Sequence, residues 1–404
     1  MIISSFGDEK KKSVEKRTIF RDSFTPWTFP IKYYIESSVN KENVKLALSI
    51  IENGTCITFQ ESSTTLTKER GIVFKWSQDT CASNFGSLKI NEPNFIYLAY
   101  GCQKKIGLII HEIGHSLGLL HEQQRPDRDD YISVDFNNIK QEAKIGYELR
   151  NISVYLTYLT EYDYGSVMHY KPFDFSINST SPIITPKNYT EYSNMMGQHY
   201  TLSFNDKKKL NLCHCNKCNW VDIDTGLKNK TYKGIKCVRD GYPDFRNCSR
   251  CICPYGFIGN DCNAVKSNPS GCNSSMIIVA NETFIHDSGV KRCVHYIQTF
   301  EDKLLKITIE GSKALVVTPC LQGFGHEVKY RKDWGAVGLL FCGEYKNKTT
   351  IVSEKNDALI LYNGLGNDHF INISVDTIDK KVEKTTVRRR KKKSKKSTTN
   401  KIKN

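Results

Sequence analysis

Three histidines between residues 111 and 121 have the type and the spacing of a metal site. His111 and His115 are four residues apart, so on a helix they lie one turn apart on the same face and can bind one metal ion. Gly118 can adopt the left-handed backbone that ends a helix, which brings His121 back towards the other two. Three neutral imidazoles leave one coordination position open for water, as in a catalytic site. The sequence therefore predicts one catalytic Zn²⁺.

Glu112 lies next to the first histidine, where its carboxylate can take a proton from a zinc-bound water and pass it to a leaving amine. A bare H-E-x-x-H pattern is weak evidence, because many helices carry it by accident. The extended pattern H-E-x-x-H-x-x-G-x-x-H is strong evidence for a zinc site, since Gly118 and His121 both fall where it requires them. It argues against the alternative that the three histidines and Glu112 are ordinary helix and loop residues. The chemistry indicated is hydrolysis of a peptide bond.

The segments around this motif predict an α+β domain that positions it. A helix is expected over residues 40–53, where Val44, Ala47, Leu48 and Ile51 recur at helical spacing. A second, largely apolar and therefore buried helix is expected over residues 106–117. Short β-branched or aromatic runs predict the strands of a sheet: PIKYYIE, CITFQE, GIVFKWS and NFIYLAY.

Two further regions follow Cys213. A cysteine cluster with few apolar residues runs through Cys262 and predicts a small module held by disulfides. Residues 272–378 contain repeated short strands between Gly, Asn and Lys turns, which predicts an all-β sandwich. The expected strands of this sandwich are KLLKITIEG, ALVVTP, AVGLLFCG, ALILYNG and HFINISVDTI.

The positive charge of the chain is concentrated at its end. Residues 380–404 hold thirteen Lys or Arg and one acidic residue, so they supply most of the formal net charge of +15. The rest of the chain is nearly neutral and gives no indication of nucleic-acid binding. The tail is expected to be disordered, and it either binds polyanions, matrix or anionic membrane, mimics a nuclear signal, or has no specific partner.

The cysteines and the glycosylation sequons favour a secreted protein. Fifteen cysteines, most of them in short-spaced clusters, would be hazardous as free thiols in the cytosol, and ten Asn-x-Ser/Thr sequons point the same way. The N-terminus lacks the apolar segment of a signal peptide, so the true start is expected upstream. No stretch approaches the roughly 20 apolar residues of a membrane span.

Over about residues 18–378, the sequence resembles the astacin family of metzincin zinc metallopeptidases. The stretch HEIGHSLGLLHEQQRPDRD at 111–129 has the family's Glu122 after the third His, followed by an Arg-x-Asp-Arg-Asp run. YGSVMHY at 164–170 resembles the methionine turn beneath the metal, with Met168 as its methionine. The resemblance implies that Tyr170 can ligate zinc at rest and swing to hydrogen-bond the oxyanion.

The resemblance also implies activation by proteolysis. Residues 1–17 would be a propeptide remnant ending in Glu-Lys-Arg, and cleavage there would create a new amino group at Thr18 that pairs with Glu122. Family propeptides carry a Phe-x-Gly-Asp segment whose Asp caps the zinc. Here Phe6-Gly7-Asp8 is one residue shorter than that segment, and Asp8 is the residue that the resemblance implies for latency.

The resemblance implies seven disulfides. CICPYGFIGNDC at 251–262 resembles the end of an EGF-like module, and the last domain resembles a CUB domain with no clear calcium site. Cys215 would be left over, and a zinc site in CHCNKC at 213–218 is the less favoured alternative to disulfides. The implied pairs are Cys56–Cys213, Cys81–Cys102, Cys218–Cys248, Cys237–Cys251, Cys253–Cys262, Cys272–Cys293 and Cys320–Cys342.

The resulting expectation is a zymogen-derived, secreted glycoprotein whose domain order resembles nematode members of the family. The expected parts are a propeptide remnant at 1–17, a peptidase domain at 18–214, an EGF-like module at 215–263, a CUB-like domain at 264–378 and a basic tail at 379–404. Expected substrates are cuticle, eggshell or host matrix proteins. Two alternatives stay open: an adhesive scaffold with a decayed peptidase, and a nuclear or nucleic-acid-binding protein that acts through its tail.

Overall fold

The computed structural model of the chain describes residues 27–87, 91–151 and 155–380. The predicted propeptide remnant with Asp8, the cleavage point at Thr18, and the basic tail beyond residue 380 lie outside these residues.

The first half of the chain contains a five-stranded sheet. β1 pairs in parallel with β2 and β3, β3 pairs in parallel with β5, and β4 runs antiparallel to β5 at the edge. The spatial order is β2-β1-β3-β5-β4. The strands are β1 (Ile31–Ile35), β2 (Phe59–Glu61), β3 (Ile72–Trp76), β4 (Cys81–Ser83) and β5 (Asn94–Leu98).

Helices cover this sheet, and the two that the sequence predicts are both present. They are α1 (Lys41–Glu52) and α3 (Ile106–Ser116), preceded by a short α2 (Tyr100–Gln103) and followed much later by α4 (Phe204–His214). The Asn40 side chain caps α1 by accepting a hydrogen bond from the Asn43 N–H. The apolar faces of α1 and α3 join the sheet in one core.

The segment between α3 and α4 has little regular structure. A small antiparallel ladder joins β6 (Ile132–Val134) to β7 (Ile184–Pro186). The described part of this segment also contains short 3-10 helices: Glu122–Gln124, Arg128–Asp130, Phe136–Asn138, Gln141–Tyr147 and Thr190–Asn194.

After α4 the chain forms a small disulfide-rich module and then two facing sheets. The module has the hairpin-like pairs β8 (Tyr242–Asp244) with β9 (Asn247–Ile252), and β10 (Phe257–Ile258) with β11 (Ala264–Val265). The predicted β-sandwich is confirmed, and residues 276–379 are called the sandwich below.

One sheet of the sandwich has the order β12-β14-β20-β16-β17, and the other has the order β13-β21-β15-β18, with β19 also paired to β15. The strands are β12 (Met276–Ile278), β13 (Thr283–Ser288), β14 (Lys291–Gln298), β15 (Lys303–Lys313), β16 (His326–Lys329), β17 (Leu339–Phe341), β18 (Glu344–Tyr345), β19 (Thr349–Val352), β20 (Asp357–Gly364) and β21 (Phe370–Asp379).

The predicted strand at ALVVTP, residues 314–319, is wrong. This run follows β15 without pairing as a strand, and Val316 is 83% exposed. Pro319 has no N–H to donate, and the N–H of Cys320 bonds the carbonyl of Asn194 outside the sandwich, at 2.7 Å. The end of the run therefore contacts the first half of the chain instead of pairing within the sandwich.

Six of the seven disulfides join the cysteines that the resemblance implies, and one differs. The six are Cys81–Cys102, Cys218–Cys248, Cys237–Cys251, Cys253–Cys262, Cys272–Cys293 and Cys320–Cys342. The seventh joins Cys56 to Cys215, with 6.2 Å between their Cα atoms.

The implied pair Cys56–Cys213 is wrong, and so is the expectation that Cys215 is left over. Asn211 on α4 faces Cys56, because its Oδ1 accepts a hydrogen bond from the Cys56 N–H at 2.9 Å. Cys215 follows Asn211 by four residues and lies on the same side, whereas Cys213 is rotated away by about 200°. Cys213 keeps a free thiol that packs beside Tyr158.

The two halves of the chain share one hydrophobic core. Tyr164 and Met195 from the first half belong to the same buried cluster as Ile307 and Val337 from the sandwich. The fold class is α+β with a following disulfide-rich module and a β-sandwich. None of the helices between residues 27 and 380, where they are described, has the length and apolar character that crossing a bilayer requires.

Candidate metal centre

The helix α3 holds the first two histidines of the motif on one buried face. His111 and His115 are 7% and 2% exposed. The Nδ1 of His111 lies 2.8 Å from the Val167 carbonyl oxygen, and the Nδ1 of His115 lies 2.7 Å from the Leu119 carbonyl oxygen. Since carbonyl oxygens only accept, each Nδ1 carries the proton and each Nε2 keeps a free lone pair.

Gly118 makes the turn that the sequence predicts. Its φ of +96° is one that residues with a Cβ rarely adopt. The N–H of Gly118 bonds the His115 carbonyl, and the next N–H bonds the Gly114 carbonyl, so α3 ends in a tight reversal. The chain then returns with His121 facing the helix, and the Nδ1 of His121 lies 3.3 Å from Oε1 of Gln124.

The three rings converge through their free nitrogens. The candidate ligand atoms of His111, His115 and His121 all lie within 4.8 Å of one another, and Nε2 of His115 is 3.1 Å from Nε2 of His121. Two lone pairs at that distance repel unless a cation lies between them. With Zn–N bonds of about 2.0–2.1 Å, ligands at two corners of a tetrahedron are about 3.4 Å apart. The donor set therefore fits a zinc ion.

Burial keeps these imidazoles neutral. It lowers the pKa of His111 to about 4, and burial together with the neighbouring histidines lowers the pKa of His115 and of His121 well below the usual range. Neutral imidazole is the form that binds a metal ion.

Glu112 follows His111 on α3, and its side chain lines one cleft together with the three histidines. Its side chain is buried, and burial raises the pKa of its carboxyl group to about 7. A carboxyl group with a pKa close to neutral can both accept and return a proton. The geometry thus brings Glu112 and the three histidines together as the sequence predicts.

The methionine turn lies directly under the metal centre. The Sδ of Met168 lies 3.0 Å from where a Cβ on Gly114 would be, so Gly114 allows the turn to pack under α3. Tyr170 comes from the same turn, and its ring centroid is 4.4 Å from that of His121. The Tyr170 N–H bonds Oε1 of Gln123 at 3.1 Å, which anchors the backbone beside the rings.

A cleft of about 310 Å³ opens over these residues. Besides the histidines, Glu112 and Tyr170, its walls include residues of both charges and several apolar groups: Leu108, Lys140, Glu142, Ala143, Ile145, Asp174, Phe175 and His199. The cleft is open to solvent, since Lys140, Glu142 and Phe175 on its walls are exposed.

Glu122 lies behind the metal centre, fully buried in a network of its own. Its Oε2 is 2.7 Å from Nζ of Lys209, and its Oε1 accepts a hydrogen bond from the Asp163 N–H at 3.0 Å. Oε1 also lies 3.5 Å from the Arg125 guanidinium. Sequence analysis missed Lys209 and Asp163, because no local pattern indicates which distant residues will meet Glu122.

The family model for astacin, a family of peptidases, matches residues 20–215. This part of the chain belongs to the astacin family. The match contains every residue of the metal centre, and it ends at Cys215, the partner of Cys56.

Proteins of similar sequence are named zinc metalloproteinases. The zinc metalloproteinase nas-34 of Caenorhabditis elegans is 30% identical over 359 residues, which cover 87% of this chain and 56% of that protein. The zinc metalloproteinase dpy-31 of Haemonchus contortus is 34% identical over 365 residues, which cover 86% of this chain and 63% of that protein. The chain thus spans between half and two thirds of the length of these astacin relatives.

Among solved structures, the chain is similar to high choriolytic enzyme 1, a hatching enzyme zinc-protease from the medaka fish Oryzias latipes. The two are 26% identical with a TM-score of 0.42, over 47% of this chain and 93% of that chain.

Proposed function

We propose that this chain is a secreted zinc endopeptidase that hydrolyses peptide bonds of extracellular proteins. The observation that supports it best is the convergence of three neutral imidazoles, with their lone pairs inward, on an open cleft that also contains the buried Glu112. A structural zinc site has four protein ligands and no open coordination position. This site has three imidazoles, and it lies in a cleft beside a carboxyl group.

His111, His115 and His121 would hold the zinc ion. When bound, zinc supplies Lewis acidity, which lowers the pKa of water and polarises a peptide carbonyl. Glu112 accepts a proton from the attacking water on a carboxylate oxygen and delivers it to the nitrogen of the leaving amine. Tyr170 donates a hydrogen bond from its Oη to the oxyanion that develops on the substrate carbonyl.

The surrounding residues have supporting roles in this proposal. Met168 and Gly118 shape the floor and the turn of the site, and Glu122 fixes the chain that follows His121. We further propose that residues 1–17 are removed before activity and that the new Thr18 amine joins the network of Glu122. Lys209 and Arg125 already lie beside the Glu122 carboxylate, so the amine would add a third cation to it.

The remaining parts are proposed to be an EGF-like module, with the pairs Cys218–Cys248, Cys237–Cys251 and Cys253–Cys262, and a CUB-like domain. By resemblance to the family, the proposed substrates are cuticle, eggshell or host matrix proteins. The charge of the basic tail makes it a proposed site for polyanions or matrix.

The test replaces Glu112 with Gln in the chain processed at Thr18. We expect Glu112→Gln to keep one zinc per chain by atomic absorption, because the three imidazoles are untouched. Cleavage of casein should fall by about 10²-fold or more, because the proton acceptor is lost. The matched control is Glu282→Gln, an exposed change on the sandwich, which should cleave as the parent does. Full activity of Glu112→Gln would contradict the assignment.

A further inference from the structure

The sandwich touches the part of the peptidase domain that leads into the methionine turn. The contact is made by residues 330–337, which we call the docking loop, and by residues 161–165. Arg331 is only 6% exposed; it donates to the Tyr162 carbonyl at 2.6 Å and to Oε2 of Glu161 at 3.1 Å. Its guanidinium also lies 4.9 Å from the centroid of the Tyr131 ring. Hydrogen bonds and a cation–π contact, all with residues of the peptidase domain, therefore fix the guanidinium group of Arg331.

Asp333, two residues after Arg331, fixes the middle of the docking loop. Its Oδ2 accepts hydrogen bonds from the Glu161 N–H at 2.8 Å and from Nδ2 of Asn205 on α4 at 2.9 Å. Its Oδ1 accepts from the N–H of Gly335 at 2.7 Å, which closes the loop on itself. The side chain is 5% exposed, so loss of this carboxylate would leave several buried donors without a partner.

A continuous line of hydrogen bonds then runs from the docking loop to the metal centre. The Val337 N–H donates to Oδ1 of Asp163 at 3.1 Å, and the Asp163 N–H donates to Oε1 of Glu122 at 3.0 Å. The Glu122 N–H donates to the Met168 carbonyl at 3.1 Å. Glu122 follows His121 directly, so the line ends at a proposed zinc ligand and at the methionine turn.

Packing follows the same path. A Cβ on Gly165 would lie 2.6 Å from Cγ2 of Val337, so the absence of a side chain at Gly165 is what lets the sandwich approach this closely. Gly165 is the second residue of the methionine-turn segment YGSVMHY, and the backbone of that turn therefore has the sandwich on one side and the metal centre on the other.

We propose that the docking loop of the sandwich is a positioning element for the metal centre. By holding residues 161–165 it sets the methionine turn and Glu122, and through them the placement of His121 and Tyr170. Arg331 and Asp333 are positioning residues in this sense, since neither touches the substrate or the metal. The proposal depends on the proposed function only where it predicts kinetics, and its metal readouts are independent of cleavage.

The experiment compares Arg331→Ala with Arg292→Ala in the full processed chain. Arg292 is an exposed arginine of β14, so it controls for loss of an arginine from the sandwich. For Arg331→Ala we expect kcat on casein to fall by about 10- to 100-fold with little change in KM, because misplaced catalytic groups lower turnover. We also expect the dissociation constant for zinc to rise by about 10- to 100-fold. The visible spectrum of the Co²⁺-substituted protein should shift.

Two further measurements keep the outcomes separate. Arg331→Lys keeps the charge and one donor, and it should recover part of the lost zinc affinity; it also replaces Arg331→Ala if that variant does not fold. If the parent chain binds Co²⁺ but cleaves nothing, the proposed function fails while the spectra still test the positioning role. An unchanged Co²⁺ spectrum and zinc affinity in folded Arg331→Ala would overturn the positioning role, even if the parent is an active peptidase.

Discussion

At the scale of single residues, the metal centre depends on a reversal of the chain. His111 and His115 come from one helix, and the third ring comes from the segment after it, so the angle of the turn decides whether three nitrogens meet. Gly118 supplies that angle at a φ of +96°. A short local pattern encodes this turn, which explains why the sequence predicts it.

Gly118→Ala should therefore weaken both folding and metal binding. An alanine at this φ is strained by about 1–3 kcal/mol, and relief of the strain would move His121 away from the other rings. We expect a lower unfolding midpoint in urea and a weaker zinc affinity in a competition with a chelator.

The matched control is Gly101→Ala on α2, where a Cβ would meet nothing within 4 Å. That variant should have the parent's stability or slightly more, because it reduces the freedom of the unfolded chain. Equal zinc affinity in Gly118→Ala and the parent would show that the turn is not what places His121.

At the scale of elements, the orientation of α4 determines which cysteine forms the disulfide with Cys56. Its Asn211 faces the strand-side loop at Cys56, and one helical turn later Cys215 faces the same way. The helix also directs Lys209 towards Glu122 and Lys208 towards the backbone carbonyls of Leu159 and Asp240. One short helix thus connects the metal centre to the disulfide-rich module.

Cysteine substitutions distinguish the two candidates for the disulfide. Cys215→Ser removes a link between residues 159 positions apart and should lower stability by about 2–5 kcal/mol. Cys213→Ser should keep the link and lose far less, because Cys213 is not bonded to another cysteine. Burial raises the pKa of its thiol to about 12, so the thiol stays protonated and unreactive. Peptide mapping under non-reducing conditions reads out the pairing, and a Cys56–Cys213 peptide in the parent would contradict the structure.

What the sequence could and could not predict follows from the range of the interactions. Apolar spacing within each segment specifies α1 and α3, and the motif at His111 is equally local. The partner of Cys56 depends on the rotation of a helix that is distant in the sequence, and the resemblance alone misplaced it from Cys215 to Cys213. The run at 314–319 is apolar like a strand, yet only the folded chain shows that no strand pairs with it.

At the scale of the whole molecule, the peptidase domain and the sandwich behave as one packed body. Their shared core and the docking loop mean that the sandwich contributes to the support of the metal centre as well as to its own fold. The sandwich in turn has a buried hydrophobic core, and the side chain of His326 bridges its two sheets by hydrogen bonds.

In the folded protein His326 is held in its neutral form. Its Nε2 lies 3.0 Å from the carbonyl oxygens of Lys313 and Phe370 on the opposite sheet, so it carries the proton. Its Nδ1 accepts a hydrogen bond from the Asn363 N–H at 3.1 Å, and a second proton there would face that N–H. Burial lowers the pKa of His326, and the two hydrogen bonds to carbonyl groups raise it; burial has the larger effect, and the pKa is about 4.

Acid should therefore unfold the protein in part through this histidine. Between pH 6.5 and about 4 the unfolded chain binds a proton at His326 that the folded chain does not, so stability falls as the pH decreases through this window. The loss is at most about 1.4 kcal/mol per pH unit for one residue. His326→Gln cannot titrate, and we expect its unfolding free energy in urea to depend less steeply on pH than that of the parent.

The matched control for this experiment is His286→Gln, at an exposed position of β13, which should keep the parent's slope. If His326→Gln and the parent lose stability in parallel as the pH falls from about 7 to about 4.5, then His326 is not a source of the acid sensitivity. Other buried histidines such as His169 and His214, whose pKa values burial also lowers to about 4, would then have to supply it.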